Sequence, residues 1–236
     1  MKKLIGFLSS TIALIMLLSF SIGVAEAKKY ELPAINSDDF VTVINNPYFP
    51  LDPGTTFIYK PLDEDNVVDT MEVTFDTKEI LGVTCIVVHD WETVDGELTE
   101  DTYDWYAQDK YGNVWYFGED TTAFLDDGTI SKEGSWEAGK NGAEAGIIML
   151  ADPIAGLSYQ QEYSKDIAED MAKVLRLDAR VSLENGDSFE DCLKTKEWTP
   201  LNPGVIENKY YAPGVGLVLI EELKEKTVRV ELVDKY

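Results

Sequence analysis

The chain has 236 residues, with 44 acidic side chains against 20 basic ones and a net charge of −24. That sign excludes nucleic acid and anionic membrane surfaces as partners, because phosphate binding needs clustered cations; it also keeps a protein soluble and draws cations to it. Two cysteines and a single histidine exclude a disulfide-rich scaffold and make a serine or thiol hydrolase a poor fit.

Lys2 and Lys3 precede an apolar run from Leu4 to Val24, and Ala25-Glu26-Ala27 supplies a small-x-small cleavage pattern. This predicts a Sec-type signal peptide cut after Ala27, rather than an uncleaved anchor of the roughly 20 residues that span a bilayer. No cysteine follows the run, so nothing there can carry a lipoprotein anchor. The expected product is secreted or periplasmic, with no membrane insertion after cleavage. Removing residues 1–27 takes away two lysines and one glutamate, leaving 43 acidic against 18 basic side chains.

Pro47, Pro50 and Pro53 forbid a helix early in the mature chain. Thr55 to Lys60 is rich in β-formers, and Thr70 to Asp76 alternates Met71, Val73 and Phe75 on one face. Ile80 to Asp90 is nearly continuous apolar sequence, as in a strand covered on both faces. Val94-Asp95-Gly96-Glu97 predicts a tight hairpin. Two aromatic runs, Tyr103 to Tyr106 and Trp115 to Phe117, then flank a turn at Asp109 to Asn113. Another hairpin is expected around Asp127-Gly128, and residues 134–155 read as an irregular, buried joint.

The remainder echoes the first part. Gly54-Thr55-Thr56-Phe57 aligns with Gly156-Leu157-Ser158-Tyr159, Val73-Thr74-Phe75-Asp76 with Leu175-Arg176-Leu177-Asp178, Cys85 and Trp91 with Cys192 and Trp198, and Tyr106-Ala107 with Tyr211-Ala212. The offsets, between 102 and 107, preserve order, which argues for internal duplication. The expectation is an all-β fold with minor helix, in which two tandem β-meander repeats (28–133 and 156–236) form a curved antiparallel sheet or open barrel. A short helical turn is expected at Ile167 to Met171, followed by a strand from Lys173.

The phrases NNPYFPLDPGTTF, DTYDWYAQDKYGNVWYFGEDT, EGSWEAG and KYYAPGVGLV resemble a family of exported bacterial and archaeal proteins, over nearly the whole mature chain. That resemblance implies no activity, cofactor or catalytic residue. SFEDCLK with YYAPGVGLV is more loosely similar to exported half-barrels of the LolA-like or lipocalin-like kind, which implies a curved sheet wrapping a helix or an apolar ligand.

The leading functional expectation is a non-catalytic binding or envelope-interaction protein. Its partner would be a small apolar or amphipathic molecule, or an envelope component, held on a sheet lined by Trp105, Tyr106, Trp115, Phe117 and Tyr211. The alternative is a secreted glycan hydrolase, since such enzymes use two carboxyls about 5 to 9 Å apart and aromatic faces stack on sugars. Its candidates are Asp104, Glu119 and Glu133, among neighbours that include Asp101, Asp120, Glu137 and Trp136. No cofactor motif is present. Acidic loops containing Asp63, Asp65, Asp69, Asp126 and Asp127 supply oxygen ligands of the kind calcium takes, without EF-hand spacing, so a calcium-stabilised envelope protein is a third reading. Cys85 and Cys192, at equivalent places in the repeats, are either a disulfide or two separate buried thiols. Cys85 and His89, four residues apart on a strand, lie about 13 Å apart, too far to share an ion.

Overall fold

The structure is a computed structural model that describes residues 29–64, 66–125, 127–223 and 227–236. The expected signal peptide and the loop carboxylates Asp65 and Asp126 lie outside the described residues. The first half supplies β1 (Thr56–Pro61), β2 (Val67–Ile80), β3 (Val83–Val94), β4 (Glu97–Asp109), β5 (Val114–Phe124) and β6 (Glu144–Met149). The second supplies β7 (Ser158–Gln160), β8 (Glu162–Tyr163), β9 (Met171–Ser182), β10 (Ser188–Trp198), β11 (Ile206–Ala212), β12 (Gly216–Glu222) and β13 (Val228–Lys235).

These strands form one antiparallel sheet in the order β7, β9, β10, β11, β12, β13, β1, β2, β3, β4, β5, β6, β8. The last strand pairs with the first, Lys235 opposite Phe57 and Val230 opposite Pro61. The two edges of the sheet, β7 and β8, are consecutive in the chain and separated only by Gln161. The sheet is therefore a nearly closed barrel whose seam the chain crosses at one residue. Closure requires glycine at position 146 of β6, where a Cβ would overlap the carbonyl group of Gln161.

The halves use the same local device to open their first strands. The Gly54 N–H donates to Val73 O (2.7 Å) and the Val73 N–H to Thr55 O (2.9 Å). In the second half the Gly156 N–H donates to Val174 O (2.8 Å) and the Val174 N–H to Leu157 O (2.9 Å).

Turn chemistry accounts for most hairpins. Asp95 and Gly96 have φ of 54° and 80°, as a type I′ turn requires, and join β3 to β4. Leu81 and Gly82 (53° and 76°) make a second such turn inside the stretch expected as one strand, so Ile80 ends β2 and Val83 begins β3. From Val83 to Val88 only Thr84 is exposed, which is the two-sided burial expected there.

Three local expectations are corrected. A register shift between Val73 and Thr77 turns Phe75 outward, 81% exposed, while Val73 is fully buried. Residues 134–155 are not irregular throughout: they contain β6, paired with β5, and a two-residue strand, Trp136–Glu137. No helical turn forms at 167–171; Ser164 and Ala168 close a tight turn with Asp166 at φ 60°, and β9 begins at Met171.

The interior is anchored by Phe49, from a short hairpin of Ile44–Asn46 and Phe49–Leu51. Its ring lies 5.5 Å from Tyr106 of the first half and 6.4 Å from Tyr211 of the second. On the opposite face of β5, Phe40 packs edge-on against Trp115 and Phe117. The barrel thus has one face toward a shared interior and another partly covered by the N-terminal segment.

Candidate functional site

Beside the aromatic interior lies a chamber of about 300 Å³ lined by Asp69, Asp90, Glu92, Glu100, Thr102, Asp104, Tyr106 and Glu119. Strand alternation builds it. Asp69 lies on β2; Asp90 and Glu92 on β3; Glu100, Thr102, Asp104 and Tyr106 on β4, each two residues from the next and so on one face. Glu119 joins them because of a bulge: Tyr106 pairs with Tyr116 and Asp104 with Glu119, so β5 advances three residues while β4 advances two. Gly118, at φ 132°, supplies the extra residue, where a Cβ would overlap the Trp136 carbonyl.

No lysine, arginine or histidine is among the lining residues, so Asp104 and Glu119 rely on protons and on hydroxyl hydrogen bonds. The Tyr116 hydroxyl donates to Asp104 Oδ1 at 2.5 Å, Thr102 to Thr121 at 3.1 Å, and Thr121 to Glu119 Oε2 at 3.3 Å. Burial, helped by the Glu119 charge, pushes the Asp104 carboxyl up to about 8. Burial likewise pushes Glu119 up to about 7. Asp69 and Asp90 share a hydrogen bond, and both are raised, by burial first; Glu100 is raised by burial and by Glu92. Asp69 Oδ1 is buried without a hydrogen-bond partner. Glu162, at the seam, receives a hydrogen bond from Trp136 Nε1 (3.0 Å) and is pushed up to about 8 by burial and by the charges of Asp170, Glu119 and Asp104.

Glu119 also borders an open groove of about 400 Å³ whose lining includes Trp105, Trp136, Lys78 and Lys140. Lys78 Nζ sits 3.0 Å from the Trp105 ring centroid and 2.9 Å from Glu137 Oε2, an oxygen it shares with Lys140 at 2.8 Å.

The five rings expected to line a ligand surface are all buried but do not share one surface. Tyr106 and Tyr211 meet Phe49 in the interior, whereas Trp105 takes the opposite face of β4, and Trp115 and Phe117 pack under Phe40. Of the hydrolase candidates, Asp104 and Glu119 are brought directly opposite each other, and Glu133 lies exposed on a turn. Asp101 binds His89 at 2.6 Å outside the chamber. Asp69 is in the chamber; Asp63 is exposed, and Asp127 caps its own turn by accepting from Thr129. Among the described residues, no group of three or more His, Cys, Asp or Glu side chains could hold a metal ion. Cys85 and Cys192 are free buried thiols, pushed up by burial to about 12 and about 11.

Sequence reasoning missed Asp90, Glu92, Glu100, Thr102 and Glu162. The available signal was polar residues at alternate positions of otherwise buried strands. It was masked by the abundance of carboxylates elsewhere.

No protein-family model matches the chain, and no curated protein matches it. Two solved structures are similar in fold. One, from Bacteroides fragilis, is described as a "putative exported protein with YmcC-like fold", at TM-score 0.46 and 13% identity, covering 80% of this chain and 98% of that one. The other, a "putative lipoprotein" from Parabacteroides distasonis, has TM-score 0.42 and 13% identity over the same shares.

Proposed function

We propose that this is an exported, non-catalytic binding protein of the cell envelope or exterior whose ligand enters the carboxyl-lined chamber, and that the ligand is a small organic amine. The observation that carries this reading is the chamber's lining: six carboxyl side chains with no cationic residue among them. A surface on which a buried carboxyl such as Asp104 sits among other acids is completed either by protons or by a cation. An amine would replace the protons on Asp104 and Glu119, and the Tyr106 ring offers its methylenes an aromatic face. The volume suits a diamine better than a lipid, and the dispersal of the five rings over two faces supports a cationic ligand over a wholly apolar one.

Titration calorimetry of the mature chain with putrescine and spermidine tests this. Binding should release protons, so that the apparent enthalpy varies with the buffer's ionisation enthalpy, and Asp104→Asn should weaken it about tenfold. No heat with either amine in any buffer would refute the reading.

A second reading, a glycan hydrolase, is favoured by one observation: Asp104 and Glu119 are directly opposed, with burial pushing them up to about 8 and about 7. Glycan cleavage that Glu119→Gln abolishes would establish it; cleavage unchanged by Glu119→Gln and Asp104→Asn would exclude it.

A further inference from the structure

On the second half, β9, β10 and the connection to β11 enclose a groove of about 440 Å³ lined by Lys173, Lys196, Trp198, Thr199, Pro200, Pro203 and Ile206. Its charge is opposite to that of the molecule. Lys173 and Lys196 stand directly across from each other on β9 and β10, so their side chains leave the same face as near neighbours. Like charges in that position destabilise a sheet unless something lies between them. Neighbouring lysines have found acids: Lys194 reaches Glu221 at 3.6 Å, and Lys209 reaches Glu197 at 3.1 Å. Lys173 and Lys196 have no ion pair among the described residues, in a chain with 44 carboxylate side chains.

The groove's other walls are flat and apolar. Trp198 is half-buried, pairs across the ladder with Ile206 and carries Lys196 Nζ 5.8 Å from its ring centroid; Pro200 and Pro203 lie exposed beyond it. An indole face beside prolines stacks on another ring, while a carboxylate can give one oxygen to each of two ammonium groups. The net charge of −24 narrows the class further, because a polyanion would be repelled by the rest of the surface before two lysines could hold it, and a monoanion far less so. We propose that this groove binds a small ring-bearing monocarboxylate, its carboxylate between Lys173 and Lys196 and its ring against Trp198. Sugar acids and aromatic acids share that chemistry. The site is separate from the acidic chamber and does not depend on its occupant.

The test is the indole N–H resonance of Trp198 in the 15N-labelled mature protein, assigned by its loss in Trp198→Phe. D-glucuronate and benzoate are titrated separately, with glucose and benzyl alcohol as neutral counterparts. The expected result is a saturable shift of the Trp198 signal with at least one acid, much smaller with its neutral counterpart, and about tenfold weaker in the Lys173→Gln/Lys196→Gln double variant. A response to glucuronate alone would assign a sugar acid, and to benzoate alone an aromatic acid. No shift with either acid would overturn the proposal. So would equal shifts with the neutral compounds, or unchanged affinity in a double variant whose remaining spectrum shows it folded.

Discussion

Asp104 and Lys209 occupy matching places in the two halves of the barrel. Each lies two residues before a Tyr-Ala pair, and each is opposed by a residue of the preceding strand, Val88 in one case and Thr195 in the other. In the first half the position carries a carboxyl among carboxyls, kept neutral by burial. In the second it carries an ammonium 3.1 Å from Glu197 and 3.4 Å from Glu207; burial works against its charge, and the two glutamates more than offset that and raise its pKa. The outer faces differ as well. Glu72 opposes His89, which binds Asp101 and stacks on Tyr103, where the second half sets Lys173 against Lys196 beside an open Trp198. One strand framework therefore carries two electrostatic designs: an interior that holds protons and one that holds a salt bridge.

The largest expected effect breaks what joins the halves. Gly146→Val would drive a side chain into the Gln161 backbone and abolish the seam, with a loss of about 4 kcal/mol or failure to fold, read by urea denaturation and near-UV circular dichroism. Next, Lys209→Met would leave Glu197 and Glu207 without their cation at a partly buried site. The expected cost is about 3 kcal/mol at pH 7, read by urea denaturation.

The chamber and the seam should respond to pH in the direction that their raised carboxyls dictate. Asp104, Glu119 and Glu162 titrate at about 8, 7 and 8, well above their unfolded values near 4, so between those limits the native state holds more protons than the unfolded chain. Stability then falls as pH rises through that window, by about 1.4 kcal/mol per pH unit for each extra proton held. Denaturant midpoints at pH 5.5 and pH 8.5 check the sign. Asp104→Asn, which keeps an acceptor for Tyr116, should flatten the slope and be more stable than the parent at the higher pH. The smallest effect concerns the thiols: a thiol-specific reagent should leave Cys85 and Cys192 unmodified in the native protein and label both after unfolding, since burial holds each thiol protonated.

Much of this architecture was legible because its determinants are local. Asp95-Gly96 announces a turn of one type, and the aromatic runs around Asp109 to Asn113 announce the hairpin they form. What escaped was set by distant partners. Phe75 reads as a core residue in its own strand, and only the register shift against β3 turns it outward. Glu119 reads as one acid among many until the bulge at Gly118 aims it at Asp104. The chamber is half visible in the sequence: Asp69 is a candidate calcium ligand, Tyr106 a ligand-lining ring, and Asp104 and Glu119 hydrolase carboxyls, but their common cavity depends on how four strands align. Leu81-Gly82 was overlooked because an apolar residue held the first turn position.

The pairing of β13 with β1 has a consequence in time as well as in space. Thr56 and Tyr236 exchange backbone hydrogen bonds, at 2.8 and 3.1 Å, across 180 residues of chain. A ribosome delivers β1 about 170 residues before its partner β13, so a nascent chain that has not yet reached β13 carries an open sheet with an unpaired edge at β1. Such edges recruit other strands. The strand Val228–Lys235 thus acts as a latch: a chain that stops before Val228 leaves Thr56–Pro61 exposed to whatever strand comes next.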